Sequence, residues 1–429
     1  MPLARSAVQG FFPLDEELAL LPGTLTPSLQ EDLVRLGARM PFRSVVHELA
    51  CLKHVTTTEA NVRRHTESAG AAYVALQTDE VERLERTTPL PPPGAARQLV
   101  SVDGAMVPLR HGEWAEVKTV AIGEIQPPVL EKGERVVHTT QLSYFSRLAE
   151  HETFNRLATV ETHRRGTERA AVVCAVNDGA EWIQGFIDLQ RHDALRILDF
   201  AHAASYVAQV GHAVWGEGSI ELKTWLTSTL HELKHGSPNT VLQTLSDMQH
   251  ELEGGAAAPE TLARVQTAIH YLAKRRAQME YARFQAAGYP IGSGSVESGN
   301  KVVVEARLKG AGMHWEREHV NPMVALRNLL CSARWEEDWP QIATRLRTEY
   351  LKQRQQRQRV RWRQRHAPIN SPVAPPKPEP VKSPDRMHTV SHTEKAKQPY
   401  RPPANHPWRH SPIGRARFKP YRSGHDPKS

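Results

Sequence analysis

The sequence predicts an α/β protein built on a mixed sheet, with helices before the sheet and inserted into it. Three observations carry this reading. Short alternating or continuous apolar segments run from Gln98 to Asp199, and apolar residues fall at helical spacing before Pro89 and again over 216–287. Asp-Gly, Asn-Asp-Gly and glycine-rich turns mark the changes between the two patterns.

Composition narrows the class further. The chain has 429 residues, 39% hydrophobic and 24% charged, enough apolar content for two or three packed domains. No run nears the roughly 20 apolar residues of a membrane helix, and the N-terminus lacks a charged start followed by an apolar block, so a soluble, non-secreted protein is expected. Cys51, Cys174 and Cys331 stand far apart, which excludes a disulfide framework or a cysteine-rich zinc site on this chain and fits a reducing cytoplasm. The net charge of +8 is unevenly spread: residues 351–429 hold 19 Lys and Arg against 4 Asp and Glu, a net +15, which leaves residues 1–350 at −7. That end also carries 14 of the 31 prolines, so 367–429 reads as a disordered basic tail. A cationic tail on an acidic body suits a polyanionic partner, and composition fits a merely solubilising tail equally well.

From 11 to 88 the leucine spacing predicts helices, broken at Pro22-Gly23 and Pro41. Residues 42–52 form one, Lys53-His54-Val55 a turn, and Thr56 with Glu59 a capping box opening another. Two short helices joined this way are either a packing unit or a helix-turn-helix, with Arg63 and Arg64 facing DNA. Pro89–Pro93 reads as the heart of a linker over 89–97. Strands then follow at Gln98–Asp103, Trp114–Ile125 and Arg135–Tyr144, a helix at Ser146–Arg164, and a fully buried strand at Ala170–Val176. A short helix at Glu181–Ile187, a strand at Leu195–Asp199 and a helix through His202 and Tyr206 complete the series. Three strands, helix, strand, helix, strand, helix is the order of a ribonuclease-H-like fold, here 98–345 with a helical insertion at about 216–287. Residues 346–366 read as a basic helix or arm.

This order brings three acids to one sheet edge: Asp103 at the end of the first strand, Asp178 after the fourth, and Glu297 opening a helix after a glycine-rich turn. Carboxylates on separate elements can hold two Mg²⁺ ions about 3.5–4 Å apart, with phosphate oxygens completing the shells. Each acid also has an ordinary explanation. Asp103-Gly104 and Asp178-Gly179 are turn dipeptides, and Glu297 sits where a helix dipole favours negative charge. Together, on the expected elements of one fold, they point to catalysis.

Four blocks then resemble those of bacterial insertion-sequence transposases of the ISKra type, relatives of the Mutator-like group. They are Ser101-Val102-Asp103-Gly104-Ala105-Met106-Val107-Pro108, Asn177-Asp178-Gly179-Ala180-Glu181-Trp182-Ile183, Ile197-Leu198-Asp199-Phe200-Ala201-His202-Ala203-Ala204, and Ile291-Gly292-Ser293-Gly294-Ser295-Val296-Glu297-Ser298 through to Gly312-Met313-His314-Trp315. The likeness runs in family order from about Phe11 to Trp339. It implies an Asp-Asp-Glu transposase with a ribonuclease-H-like core, whose triad matches Asp103, Asp178 and Glu297. It also implies Mg²⁺ (with Mn²⁺ as the other candidate), DNA ends and target DNA as partners, self-association on DNA, and a cytoplasmic, nucleoid-associated location. Asp199 and His202 match the family's Cys-or-Asp, x, x, His signature, which implies a supporting catalytic role. On residue grounds alone the favoured reading is an Asp N-cap with a packed histidine.

Lys301, Arg307 and Lys309 follow Glu297 closely and could hold backbone phosphates, while Trp315 could stack on an unpaired base or join the core. Glu305 is a rival third acid, and Lys309 four residues on makes a surface ion pair its expected fate. Relatives carry a cysteine-pair zinc ribbon before the block that here begins at Phe11, so specific end recognition stands in question. The expected activity is Mg²⁺-dependent cleavage and strand transfer. The alternatives are a non-catalytic DNA-binding protein derived from a truncated transposase, and a nuclease on the same fold.

Overall fold

In a computed structural model of the protein, residues 25–366 are described, apart from Lys132 and Ala256. The expected disordered tail over 367–429 and the block at Phe11 lie outside them.

Three helices come first. Pro27–Arg39 (α1) is capped by Thr26, whose hydroxyl accepts from the Leu29 N–H at 3.3 Å, with Pro27 in the first turn where its missing donor costs nothing. Phe42–Lys53 (α2) ends at His54, which turns left-handed at φ 55°. Glu59–Thr87 (α3) is 29 residues long. Its cap is Thr58, accepting from the Asn61 N–H at 3.2 Å, which corrects the expected capping box at Thr56 by two residues. The second helix of the expected short pair is therefore a long one. Leu33, Val45, Leu49, Val62 and Tyr73 from these helices share one core with Leu326, Leu329, Trp335 and Trp339 near the other end of the described chain. The apolar faces of α1–α3 are thus covered by later helices as well as by one another.

A five-stranded mixed sheet follows. Arg97–Pro108 (β1) pairs antiparallel with Trp114–Ile125 (β2), and after a small hairpin of Val129–Glu131 (β3) and Glu134–Val136 (β4), Thr139–Arg147 (β5) pairs antiparallel with β2. Val172–Asn177 (β6) runs parallel to β1 and Leu195–Leu198 (β7) parallel to β6, giving the order β5-β2-β1-β6-β7. Both faces of β6 are covered: Val173 and Ala175 enter one core while Cys174 and Val176 enter another. That explains its unbroken apolar sequence. Three expectations change here. Asp103 does not end β1, which continues to Pro108. The third strand divides at 137–138 into β4 and β5. The helix expected from Ser146 begins later, as His151–Leu157 (α4) and Thr159–Arg164 (α5), because Ser146 and Arg147 remain in the sheet, with Thr119 donating to Ser146 across the strands at 2.9 Å.

Glu181–Arg191 (α6) and Phe200–Trp215 (α7) flank β7 in sequence. Ile220–His235 (α8), Pro238–Gly254 (α9), Pro259–Lys274 (α10) and Tyr281–Ala286 (α11) then build a helical layer, whose Leu233, Val241, Leu245, Val265 and Leu272 pack with Val207 and Val210 of α7. The chain returns to the sheet through Gly294–Gly299 (α12), which passes into a π-helix at Asn300–Glu305 and a last turn at Ala306–Leu308 (α13). Arg317–Cys331 (α14) and Trp335–His366 (α15) complete the described chain. No described helix is long and apolar enough to cross a membrane.

Candidate functional site

The sheet carries the two aspartates toward the same end. β1 and β6 pair in parallel from Arg97 opposite Val172 to Val100 opposite Ala175, and Asp103 and Asp178 each follow three residues after that last pair. Past the last paired residues the strands stay tied, the Val102 N–H donating to Asn177 Oδ1 and Ser101 Oγ donating to the Val176 carbonyl, each at 2.5 Å.

Asp178 sits in a turn gripped from the helical layer. Its Oδ1 accepts from the Ala180 N–H at 2.9 Å. The Tyr271 hydroxyl donates to the Asp178 carbonyl, and Arg275 donates to the Gly179 carbonyl from Nε at 3.0 Å and from a terminal nitrogen at 2.6 Å. Gly179 is required there: its φ is +80°, and an added Cβ would lie 2.6 Å from Arg275 Nε and 2.7 Å from Tyr271 Oη. Arg275 lies 3.7 Å over the Tyr271 ring, Tyr271 stacks on Tyr206 at 4.0 Å, and the His202 ring meets both tyrosines edge-on at 5.3 and 5.8 Å. His202 thus belongs to an aromatic cluster that buttresses the Asp178 turn. Burial pushes the Tyr271 phenol above its usual range, which keeps it a donor.

Glu297 is presented by α12. Ser293 Oγ donates to Glu297 Oε1 at 2.9 Å, and the Ser293 N–H donates to Asp199 Oδ2 at 2.7 Å. The other oxygen of Asp199 accepts from the His202 N–H at 2.7 Å, capping α7. With both oxygens engaged and only 5% exposure, Asp199 is a positioning residue that ties α7 to the glycine-rich turn before Glu297. The bond to the His202 N–H matches the N-cap reading of Asp199. Gly299 lets α12 approach the sheet, since a Cβ there would lie 2.7 Å from the Tyr144 ring. One residue on, Asn300 donates from Nδ2 to Asp103 Oδ2 at 2.9 Å, while its Oδ1 is buried with no partner.

The charges of these elements meet at Asp103. Burial raises its carboxyl above the ordinary aspartate range, and the charges of Asp178 and Glu297 raise it further, against the opposing pull of the Gly104 N–H and the Asn300 amide. The three acids therefore share one electrostatic site. They do not form a ready-made cage, and among the described residues no group of three or more His, Cys, Asp or Glu side chains is arranged to hold an ion. Each is held by its own hydrogen bonds instead. The donor set still fits a hard divalent cation. It is all oxygen, with Asp103 and Asp178 half-buried and Glu297 exposed, the charges of two of the acids raise the carboxyl of the third, and an orphaned carboxamide oxygen is included. Mg²⁺ keeps several waters and needs only one or two direct carboxylates. Asp103, Asp178 and Glu297 are the residues that would hold it.

The expected DNA contacts divide. Arg63 and Arg64 are exposed on α3, and Lys301 is exposed on the π-helix. Lys309 pairs with Glu305 at 2.6 Å, the fate expected for that acid. Arg307 and Trp315 are corrected outright. Arg307 is 2% exposed, donates to the Gly37 carbonyl at 3.0 Å, and lies 4.7 and 5.2 Å over the rings of Phe42 and Trp315. Burial, with Arg327 nearby, lowers its guanidinium to about 10. Trp315 is itself buried and donates to the Leu308 carbonyl at 3.1 Å. Both residues join the α1–α2 end of the chain to the segment after Glu297, and neither faces a phosphate or a base. Tyr271, Arg275 and Asn300 were not singled out by sequence reasoning. Tyr271 and Arg275, four apart at the end of α10, formed a visible helix-face pair, but their target lies more than 90 residues upstream.

No protein-family model matches this chain, and no curated protein matches it.

Proposed function

We propose that this chain is a DNA transposase with a ribonuclease-H-like core, in which Asp103, Asp178 and Glu297 form the cation-binding site for phosphodiester cleavage and strand transfer. The observation that carries the reading is the convergence at Asp103: the charges of Asp178, in the turn after the neighbouring strand, and of Glu297, on α12, both bear on its carboxyl, and Asn300 donates to it. The sheet order supports the same core, three antiparallel strands followed by two parallel ones on the far side of β1. The resemblance of the four sequence blocks supplies the reaction.

Bound there, Mg²⁺ would activate the attacking oxygen and offset charge on the leaving one. The protein's part is placement. Asn300 and the Gly104 N–H orient Asp103, Tyr271 and Arg275 hold the Asp178 turn, and Ser293 with Asp199 sets the entry to Glu297. Water attacks the phosphodiester first and leaves a 3′-hydroxyl, which then attacks a second strand. The α2–α3 pair, with Arg63 and Arg64 exposed, serves as a helix-turn-helix-like DNA contact, and Lys301 lies beside Glu297 to meet a backbone phosphate. The exposed Arg354, Arg357, Arg359, Arg361 and Arg363 of α15 add sequence-independent attraction.

The test is a joining assay on duplexes carrying the DNA that flanks the gene, with Mg²⁺ or EDTA. The reading predicts joined strands in Mg²⁺, lost in Asp103→Asn and Glu297→Gln. Cut but unjoined products would instead mark a nuclease, and binding with no Mg²⁺-dependent product would mark a DNA-binding protein.

A further inference from the structure

Asn300 stands out among the polar residues of the site. It is 5% exposed, and its two polar atoms are treated differently: Nδ2 donates to Asp103 Oδ2 at 2.9 Å, whereas Oδ1 is buried without a partner. Gln98, Asn155 and Asn328 also hold a buried side-chain oxygen without a partner, but Asn300 is the one whose amide bonds Asp103. The carboxamide cannot turn over to relieve this, because Oδ1 would then face an ionised carboxylate oxygen. Being bonded to the same carbon as Nδ2, Oδ1 lies within a few ångströms of Asp103.

The backbone sets this arrangement. Asn300 is three residues after Glu297, so the two share a helix face. Asn300 is also the first residue of the π-helix at Asn300–Glu305, a widened turn that is rare and concentrates at functional sites. Glu297 and Asn300 therefore approach Asp103 from one element, with opposite demands: Glu297 repels the carboxylate and Asn300 donates to it.

We propose that Asn300 is a fourth oxygen donor of the cation site, its Nδ2 orienting Asp103 while its Oδ1 binds the hydrated divalent cation. The inference rests on the reading of Asp103, Asp178 and Glu297 as that site. A carboxamide supplies oxygen without adding a fourth negative charge to an already repelling set.

Mn²⁺ binding to the full chain, measured by electron paramagnetic resonance without DNA, tests it. Wild type binds saturably, and Asn300→Ala and the equally large but apolar Asn300→Leu each bind about tenfold weaker or worse. Asp103→Asn and Glu297→Gln are measured alongside. Wild-type affinity in Asn300→Ala, with loss in the two acid variants, overturns the role of Asn300 and leaves the three-acid reading standing. Equal binding by wild type and the acid variants, or none by wild type, overturns that reading and this inference together. If thermal melting shows Asn300→Ala unfolded, Asn300→Leu decides: a folded Asn300→Leu that binds as tightly as wild type overturns the proposal.

Discussion

At the seam between α3, α5 and α15, Asp338 is 4% exposed and accepts from the Tyr73 hydroxyl at 2.6 Å and from two Arg164 nitrogens at 2.8 and 2.9 Å. Nearby, Glu161 accepts from Ser143 at 2.6 Å and from Arg334 at 2.7 Å. At the sheet edge Asp103 has the Asn300 amide and the Gly104 N–H in its favour and two further carboxylate charges against it. The seam pairs opposite charges and closes its hydrogen bonds, so it needs nothing from outside. The edge gathers like charges around an orphaned oxygen, an arrangement that lowers stability unless something positive binds. Buried charge is compensated in the first place and left uncompensated in the second.

Separating the two regions by mutation sharpens this contrast. The largest effect is expected at the edge. Glu297→Gln lowers Mg²⁺-dependent joining by about a thousandfold or more, with urea midpoints near wild type, measured as joined product per folded molecule. The seam behaves in reverse. Glu161→Ala strands the Arg334 guanidinium, whose side chain is 14% exposed, and costs about 3–5 kcal/mol in urea unfolding, while molecules that remain folded keep joining. Equal loss of activity per folded molecule in both variants would break the comparison.

A smaller effect is expected where the helical layer grips the edge. Tyr271→Phe removes the hydroxyl that donates to the Asp178 carbonyl and costs about 1 kcal/mol. The joining rate falls roughly fivefold with duplex affinity unchanged, since about 1 kcal/mol corresponds to that factor. The smallest effect is one of sign. Asp103 holds its proton more tightly folded than unfolded, so its stabilising contribution is present below the ordinary aspartate range and is lost as pH rises through its raised value. In EDTA at pH 8, Asp103→Asn therefore melts slightly above wild type, and the difference disappears on acidification. A variant melting below wild type at pH 8 would show that Asp103 is paired after all.

Much of the sheet was legible because its signals are local. Trp114–Ile125 is β2 to the residue, and the apolar run before Asn177-Asp178-Gly179 is β6, buried on both faces. Asp103 and Asp178 belong to segments on or just after neighbouring parallel strands, which local pattern shows, whereas Glu297 lies on a helix that no strand order places. What could not be read depended on distant partners. Arg307 and Trp315 resemble DNA contacts until Phe42 and Gly37, more than 260 residues upstream, close over them. Thr56 and Thr58 offer equivalent hydroxyls, and only the start of α3 selects Thr58. Asn300 carries no local mark, because its meaning lies in one hydrogen bond across 197 residues and one that is missing.

Thermal melting of wild type and Asp103→Asn across a Mg²⁺ titration at pH 8 tests the central claim most directly, since a ligand that binds only the folded state raises its stability with concentration. Wild type should start lower and climb as Mg²⁺ is added, while Asp103→Asn starts higher and stays nearly flat. Parallel curves, with Mg²⁺ stabilising both proteins equally or neither, would contradict the assignment of Asp103, Asp178 and Glu297 as a cation site.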